Sequence, residues 1–300
     1  MAPVPAASEL SPDLRASLAT FATGSPILVA LDFDGCLAPF VLDPSDARPL
    51  PESSAALRAL AASDGVQLAL VSGRPAADLA TLADPPAGTW LIGSHGVEVG
   101  EVTPSGEVHL IPFEATPAQS ALRERVVVAL TEIAARHAGS RVEHKPVAAA
   151  LHTRGMAADD AARALDEALT GPGSFDGVHA MRGNDVAELA VLSVTKGDAL
   201  VRLRVRLARE ASTAVVPPEA STAVVPPEAS TAAWPEQRVA VLYAGDDVTD
   251  ENALATLLPG DVGVKVGPAS TVAQFRVSDE HAVGELLTEL ARLRSQRPGG

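Results

Sequence analysis

Two carboxylates separated by one residue, Asp32 and Asp34 in the run Leu31-Asp32-Phe33-Asp34-Gly35, close an apolar stretch of this 300-residue chain. Acidic groups beside a hydrophobic core are expensive to desolvate, so the pair needs either a function or open solvent. At this spacing two carboxylates can share a divalent cation. One can also attack phosphorus while its neighbour manages the proton of the leaving oxygen. A solvated strand end accounts for the pair equally well on spacing alone.

Three further segments carry related chemistry, each at the end of an expected strand or the start of a helix. Ser72-Gly73-Arg74 offers a hydroxyl, a glycine N–H and a helix start, which together make a phosphate cradle. Lys196 stands beside Gly197 at a helix start, where an ammonium can neutralise a phosphoryl group. The chain has only three lysines, Lys145, Lys196 and Lys265, so each is more informative than usual. Gly245 to Glu251 sets Asp246, Asp247 and Asp250 within five residues, a density of like charge that is destabilising unless a cation offsets it. Oxygen ligands without sulfur favour Mg²⁺ over zinc. Asp250 also falls in the first turn of a helix, where dipole compensation alone would explain it.

The elements that must position these residues follow from hydrophobic periodicity. Continuous apolar runs at 26–33, 66–71, 89–93, 238–243 and 261–266 read as strands buried on both faces of a parallel sheet. Helical patterns at 52–62, 75–82, 196–209, 248–258 and 281–294 alternate with them, which predicts an α/β domain with helices on both sides. Residues 96–111 read as a hairpin turning at Pro104-Ser105-Gly106. The rhythm changes in the middle. A helix at 117–138 precedes strands at 141–145 and 148–153, and a helix at 157–169 precedes strands at 176–181 and 185–192. This is the pattern of a small inserted α+β unit. The expected domains are therefore a core from 25–111 and 194–300 and an insertion at 112–193. Residues 1–24 are set apart as an N-terminal segment whose order is left open.

Glu210 to Pro235 holds a nine-residue repeat, EASTAVVPP twice and then a decayed copy. It is too short and proline-rich to stack as a solenoid, and 210–235 reads as an extended or disordered loop inserted in the core. It precedes a strand, so it is expected on the face away from a site built at strand carboxyl ends.

Composition limits the partners. Lys+Arg 23 against Asp+Glu 38 gives a net charge of −15, which offers no general field for nucleic acid. No apolar stretch reaches the ~18 residues of a membrane span, and the N-terminus has no signal-peptide pattern. A single cysteine, Cys36, excludes an internal disulfide, so a cytoplasmic location is expected. The seven histidines lack metal-binding spacing, and no GxxxxGK cradle supports an ATP-driven kinase.

The order LDFDG, VSGR, helix-leading lysine, GDDVTDE resembles the haloacid-dehalogenase-like (HAD-like) phosphatases. GSHGVE from Gly93, VEHK from Val142, HTR from His152 and an acidic strand position at Glu188 are similar to the trehalose-6-phosphate phosphatase family within them. The resemblance spans about residues 25–295. It implies an α/β, Rossmannoid parallel-sheet core with an α+β cap that sets specificity. It further implies Asp32 as nucleophile through an aspartyl-phosphate and Asp34 as general acid and base. Ser72 and Lys196 would hold phosphoryl oxygens, and Gly73, Arg74 and His95 are substrate-contact candidates, with a structural loop role equally open to His95. Mg²⁺ would sit on Asp32, Asp246 and the Asp34 carbonyl, with Asp247 and Asp250 as further ligands or as orienting groups. Glu143, Lys145, Arg154 and Glu188 would read the sugar of trehalose 6-phosphate, and a trehalose-6-phosphate synthase is the candidate protein partner. Two alternatives stay open: another sugar phosphate as substrate, or a catalytically silent binding partner of a synthase. Two positions depart from the family pattern. Cys36 stands where threonine is usual, and HTR replaces HYR. Cys36 is not expected to attack phosphorus, because the position six residues on, where a cysteine-phosphatase cradle needs arginine, is Leu42.

Overall fold

In the computed structural model the described residues are 10–111, 115–145, 147–183, 185–192, 194–213 and 238–296. They divide into two compact units, one formed by residues 1–111 and 195–300 and the other by 112–194. Most of the repeat, including Trp234, lies outside the described residues.

The first unit is built on an eight-stranded sheet. In chain order its strands are β1 (Ile27–Asp32), β2 (Val66–Val71), β3 (Trp90–Gly93), β4 (Glu98–Val102) and β5 (Val108–Ile111). In the small second unit come β6 (Arg141–His144), β7 (Ala148–His152), β8 (His179–Arg182) and β9 (Val186–Ala190). The first unit resumes with β10 (Ala240–Gly245), β11 (Val262–Val266) and β12 (Phe275–Val277). Its sheet order is β12-β11-β10-β1-β2-β3-β4-β5, parallel through β3 and antiparallel at the hairpin edge.

Every residue of the central strand β1 is buried. Alternate side chains explain why. Ile27, Val29 and Leu31 join one apolar cluster with Leu14, Leu57, Leu79 and Leu286. Leu28 and Ala30 join another with Leu200, Leu203 and Leu254. The first cluster draws on α1 (Pro12–Phe21), α2 (Pro51–Ala61), α3 (Ala76–Ala83) and α8 (Glu280–Ser295). The second draws on α6 (Lys196–Thr213) and α7 (Val248–Leu254). Two covered faces are what a strand without hydrophobic alternation requires. Helix α6 continues through the first residues of the repeat.

Residues 1–24 had no element assigned from sequence. The structure builds α1 there, capped by the Ser11 hydroxyl at 3.2 Å from the Leu14 N–H, and buries Leu14, Leu18 and Phe21. β12 was also unassigned; with three residues it is too short to show a period.

In the second unit, α4 (Pro117–Arg136) and α5 (Ala158–Thr170) cover one face of the antiparallel sheet β6-β7-β9-β8. Val126, Leu130, Leu165 and Ala168 pack there on Ala149, Leu151, Ala187 and Leu189. Thr116 and Gln119 form a reciprocal capping box that starts α4.

Candidate active site

The sheet register brings the sequence-predicted residues of the first unit to one edge. Asp32 ends β1 opposite Val71, so Ser72 follows on the neighbouring strand, and Gly245 ends β10 just before Asp246. These are the carboxyl ends of parallel strands, where an open α/β sheet leaves its binding crevice. Lys196 opens α6 beside them.

Lys196 Nζ donates to Asp32 Oδ1 at 3.0 Å and to Asp250 Oδ1 at 2.8 Å, with all three side chains buried. The Tyr243 hydroxyl donates to the same Asp250 oxygen at 2.7 Å. Asp250 Oδ2 accepts the Asp247 N–H at 2.9 Å, closing a capping box at the start of α7. Burial pushes the Asp32 carboxyl well above its ordinary range, and the Asp250 charge adds to that against Lys196. Burial also works against the Lys196 charge, but Asp32 and Asp250 more than offset it and hold the ammonium above its ordinary value. Tyr243 is raised by burial and by Asp250.

Asp32, Asp246 and Asp250 each offer an oxygen within 4.8 Å of the others. Asp246 Oδ1 is buried without a hydrogen-bond partner, and burial raises its carboxyl. An all-oxygen donor set with an orphaned acceptor suits a hard divalent cation. Gly35 makes the approach possible. Its φ is +73°, and a Cβ there would stand 2.4 Å from Asp246 Oδ2.

One sequence-predicted ligand is placed elsewhere. Asp247 lies outside this cluster, because its carboxylate caps α7 through the Val248 N–H at 2.7 Å. The Asp34 carboxylate is held by Arg74, with both Nε and Nη2 at 2.7 Å. The Ser72 hydroxyl accepts the Arg74 N–H at 3.1 Å and keeps its own proton to donate.

The GSHGVE segment supports this loop. His95 N–H donates to the Ser72 carbonyl at 3.1 Å and Ser94 N–H to the Arg74 carbonyl at 2.8 Å. The His95 ring lies so close to Gly73 that a Cβ there would meet it at 2.6 Å. Glu98 accepts the Ala76 N–H at 2.6 Å and so caps α3.

In the second unit, Glu143, Ala150 and Glu188 are register partners across β6, β7 and β9, and so share the sheet face away from the apolar cluster. Lys145 Nζ donates to Glu188 at 2.5 Å. Arg154 sits in the turn after β7, largely exposed, 3.8 Å from Asp185, and is not part of that cluster.

Residues 30–284 match the profile of the trehalose-phosphatase family. The chain belongs to that family. It is 31% identical over 269 residues to a trehalose-phosphate phosphatase of Mycobacterium marinum, covering 88% of this chain and 61% of the relative. It is 34% identical over 278 residues to an uncharacterized glycosyl hydrolase of Mycobacterium tuberculosis, covering 90% of this chain and 18% of the relative. The chain thus spans under two thirds of the length of these relatives. In fold it is similar to the Aspergillus fumigatus trehalose-6-phosphate phosphatase, with a TM-score of 0.63 at 22% identity, covering 96% of this chain and 99% of that one.

The fully buried Cys36 thiol reaches the Ala244 carbonyl at 3.5 Å. Burial, then the charges of Asp32, Asp250 and Asp246, push the thiol well up, which favours its protonated form. Two residues given no role of their own from sequence contact candidate site residues: the Tyr243 hydroxyl donates to Asp250, and His152 Nε2 lies 2.6 Å from Glu143 Oε2. The signal for His152 was available in the strand period. It pairs with Arg141, two residues from Glu143 on the same face. Tyr243 carried no signal, since an apolar strand run hides a hydroxyl.

Proposed function

We propose that the chain is a Mg²⁺-dependent phosphomonoesterase that hydrolyses trehalose 6-phosphate to trehalose and phosphate. The observation that carries this reading is the buried Asp32–Lys196–Asp250 constellation beside the partnerless Asp246 oxygen, at the carboxyl ends of β1 and β10.

In this mechanism Asp32 attacks phosphorus in line and the sugar oxygen leaves, forming an aspartyl-phosphate. Asp34 gives its proton to that oxygen, then takes one from the water that cleaves the acyl phosphate. Asp34 must loosen from Arg74 to do so, which makes Arg74 the group that sets its position between turnovers. Lys196 and the Ser72 O–H neutralise and orient the phosphoryl oxygens. Asp32, Asp246 and the Asp34 carbonyl would hold Mg²⁺, whose charge would offset that of the phosphoryl group. Asp250 is read chiefly as an orienting group, because Lys196 and Tyr243 both donate to its Oδ1 and the Asp247 N–H to its Oδ2.

Glu143, Lys145, Arg154 and Glu188 set preference for the sugar. An opposite-charge pair such as Lys145 and Glu188 suits hydroxyls, which both donate and accept. A synthase would supply the substrate, and the unpaired Cys36 suits a reducing cytoplasm.

The test is phosphate release from trehalose 6-phosphate, sucrose 6-phosphate, glucose 6-phosphate and p-nitrophenyl phosphate, with Mg²⁺ or EDTA and with Asp32→Asn as blank. Preference for trehalose 6-phosphate that EDTA and Asp32→Asn both abolish is expected. Metal-dependent release without that preference would overturn the sugar assignment. No release from folded protein would favour a silent binding partner.

A further inference from the structure

Lys265 is the third of the chain's lysines and the one the chemistry above does not use. It lies on β11 in parallel register with Gly245 of β10, and its side chain is 1% exposed. Its ammonium donates to the Asp246 carbonyl at 2.5 Å and to the Asp247 carbonyl at 3.3 Å. Glu251 Oε1 is 3.4 Å away. Glu251 in turn accepts the Thr271 hydroxyl at 3.2 Å and the Val272 N–H at 2.8 Å, which ties α7 to the segment between β11 and β12. A buried ammonium is costly unless its donors are satisfied. Here its acceptors all come from the GDDVTDE segment.

We propose that Lys265 is a positioning residue for the cation site. It clamps the backbone of Asp246 and Asp247 so that the Asp246 carboxylate, with its partnerless buried Oδ1, is already aimed when a divalent cation arrives. The inference rests on the metal reading given above. Two consequences of the same ammonium act in opposite directions on a cation. As a charge, Lys265 repels it. As a clamp, it preorganises the ligand and spares the cation the cost of ordering the loop. The sign of the effect on affinity therefore tells which role dominates, and a merely structural lysine would move neither.

The experiment is titration of the full chain with Mn²⁺ by electron paramagnetic resonance and with Mg²⁺ by calorimetry, without substrate and well below each variant's melting temperature. Lys265→Met is expected to weaken both ions about tenfold or more. Lys265→Gln, which keeps a donor for one carbonyl, is expected to recover part of that loss. Should Lys265→Met not fold, Lys265→Gln against wild type decides alone, with at least about threefold weaker binding expected by the same reasoning. Unchanged or tighter binding in the folded variants would overturn the proposal. Asp246→Asn is the control and should abolish binding. If wild type binds neither ion, the metal reading itself fails and the clamp falls with it. If wild type binds and Asp246→Asn does not, failure of the lysine variants to differ counts against the clamp alone.

Discussion

Arg74 grips Asp34 with both prongs of its guanidinium, Nε on Oδ2 and Nη2 on Oδ1, each at 2.7 Å. The arginine is itself fixed, because Nη1 donates to the Pro44 carbonyl at 2.8 Å and its Cζ lies over the Phe33 ring, 5.5 Å from the centre. Asp34 is thus held by a group that cannot easily follow it. A bidentate pair is a strong, directional grip, so Asp34 must be released from Arg74 before it can serve the leaving oxygen. Asp34→Asn is expected to lower kcat on a sugar phosphate by about 10²–10⁴-fold. The loss on p-nitrophenyl phosphate should be much smaller, because a phenolate leaves without a proton. Parallel kcat measurements on both substrates check this, and equal losses would assign Asp34 a role other than acid.

The acidic cluster should also govern stability. Burial raises the carboxyls of Asp32 and Asp246 above their ordinary value of 3.8. The folded protein therefore retains protons that the unfolded chain releases. Their contribution to stability is complete below about pH 4 and is lost as pH rises through the raised values. Mg²⁺ favours the ionised forms and opposes that loss. In EDTA the melting temperature of wild type should fall more steeply as pH rises above about 4 than that of Asp246→Asn. Added Mg²⁺ should raise it for wild type only, by more at the higher pH. Parallel pH profiles for the two proteins would refute the assignment.

Much of this was legible because buried parallel strands announce themselves. The runs at 26–33, 66–71 and 238–243 contain β1 and β2 and overlap β10, and the motifs fall at the ends of these strands. A motif shows which residues meet but not how each spends its hydrogen bonds. Asp247 and Asp250 look alike in GDDVTDE. The turn into α7 commits Asp247 to capping, and Tyr243 and Lys196 reach Asp250 from elements distant in sequence. Lys265 was notable only for its rarity until β11 was seen beside β10. Helix α1 escaped because its apolar spacing at Leu14, Leu18 and Phe21 covers just two turns.

Cys36 offers a simple check on the site's interior. The thiol is fully buried, donates to the Ala244 carbonyl, and is pushed well up by burial and the nearby carboxylates. Thiolate is the reactive form, so iodoacetamide at pH 8 should leave folded protein unlabelled over hours and label it once in urea. Mass spectrometry reads the outcome. Rapid labelling of the native chain would mean that the thiol is neither buried nor protonated.

The opposite end of the first unit separates folding from chemistry. Asp261 precedes β11 with its carboxylate fully buried. Oδ1 accepts from Arg204 at 2.9 Å, Arg238 at 3.1 Å and the Val241 N–H at 3.1 Å. Oδ2 accepts from Arg204 at 2.7 Å and the Leu258 N–H at 2.8 Å. One side chain therefore joins α6, the start of β10 and the turn before β11, and the first two lie on either side of the repeat. Breaking such a buried pair by removing one partner costs about 3–5 kcal/mol. Asp261→Ala should lower unfolding stability by about that amount in urea. It should leave kcat and Mg²⁺ affinity within about twofold at temperatures where it stays folded, since it touches no group at the strands' carboxyl ends. A loss of activity without a loss of stability would contradict the division between a folding end and a catalytic end.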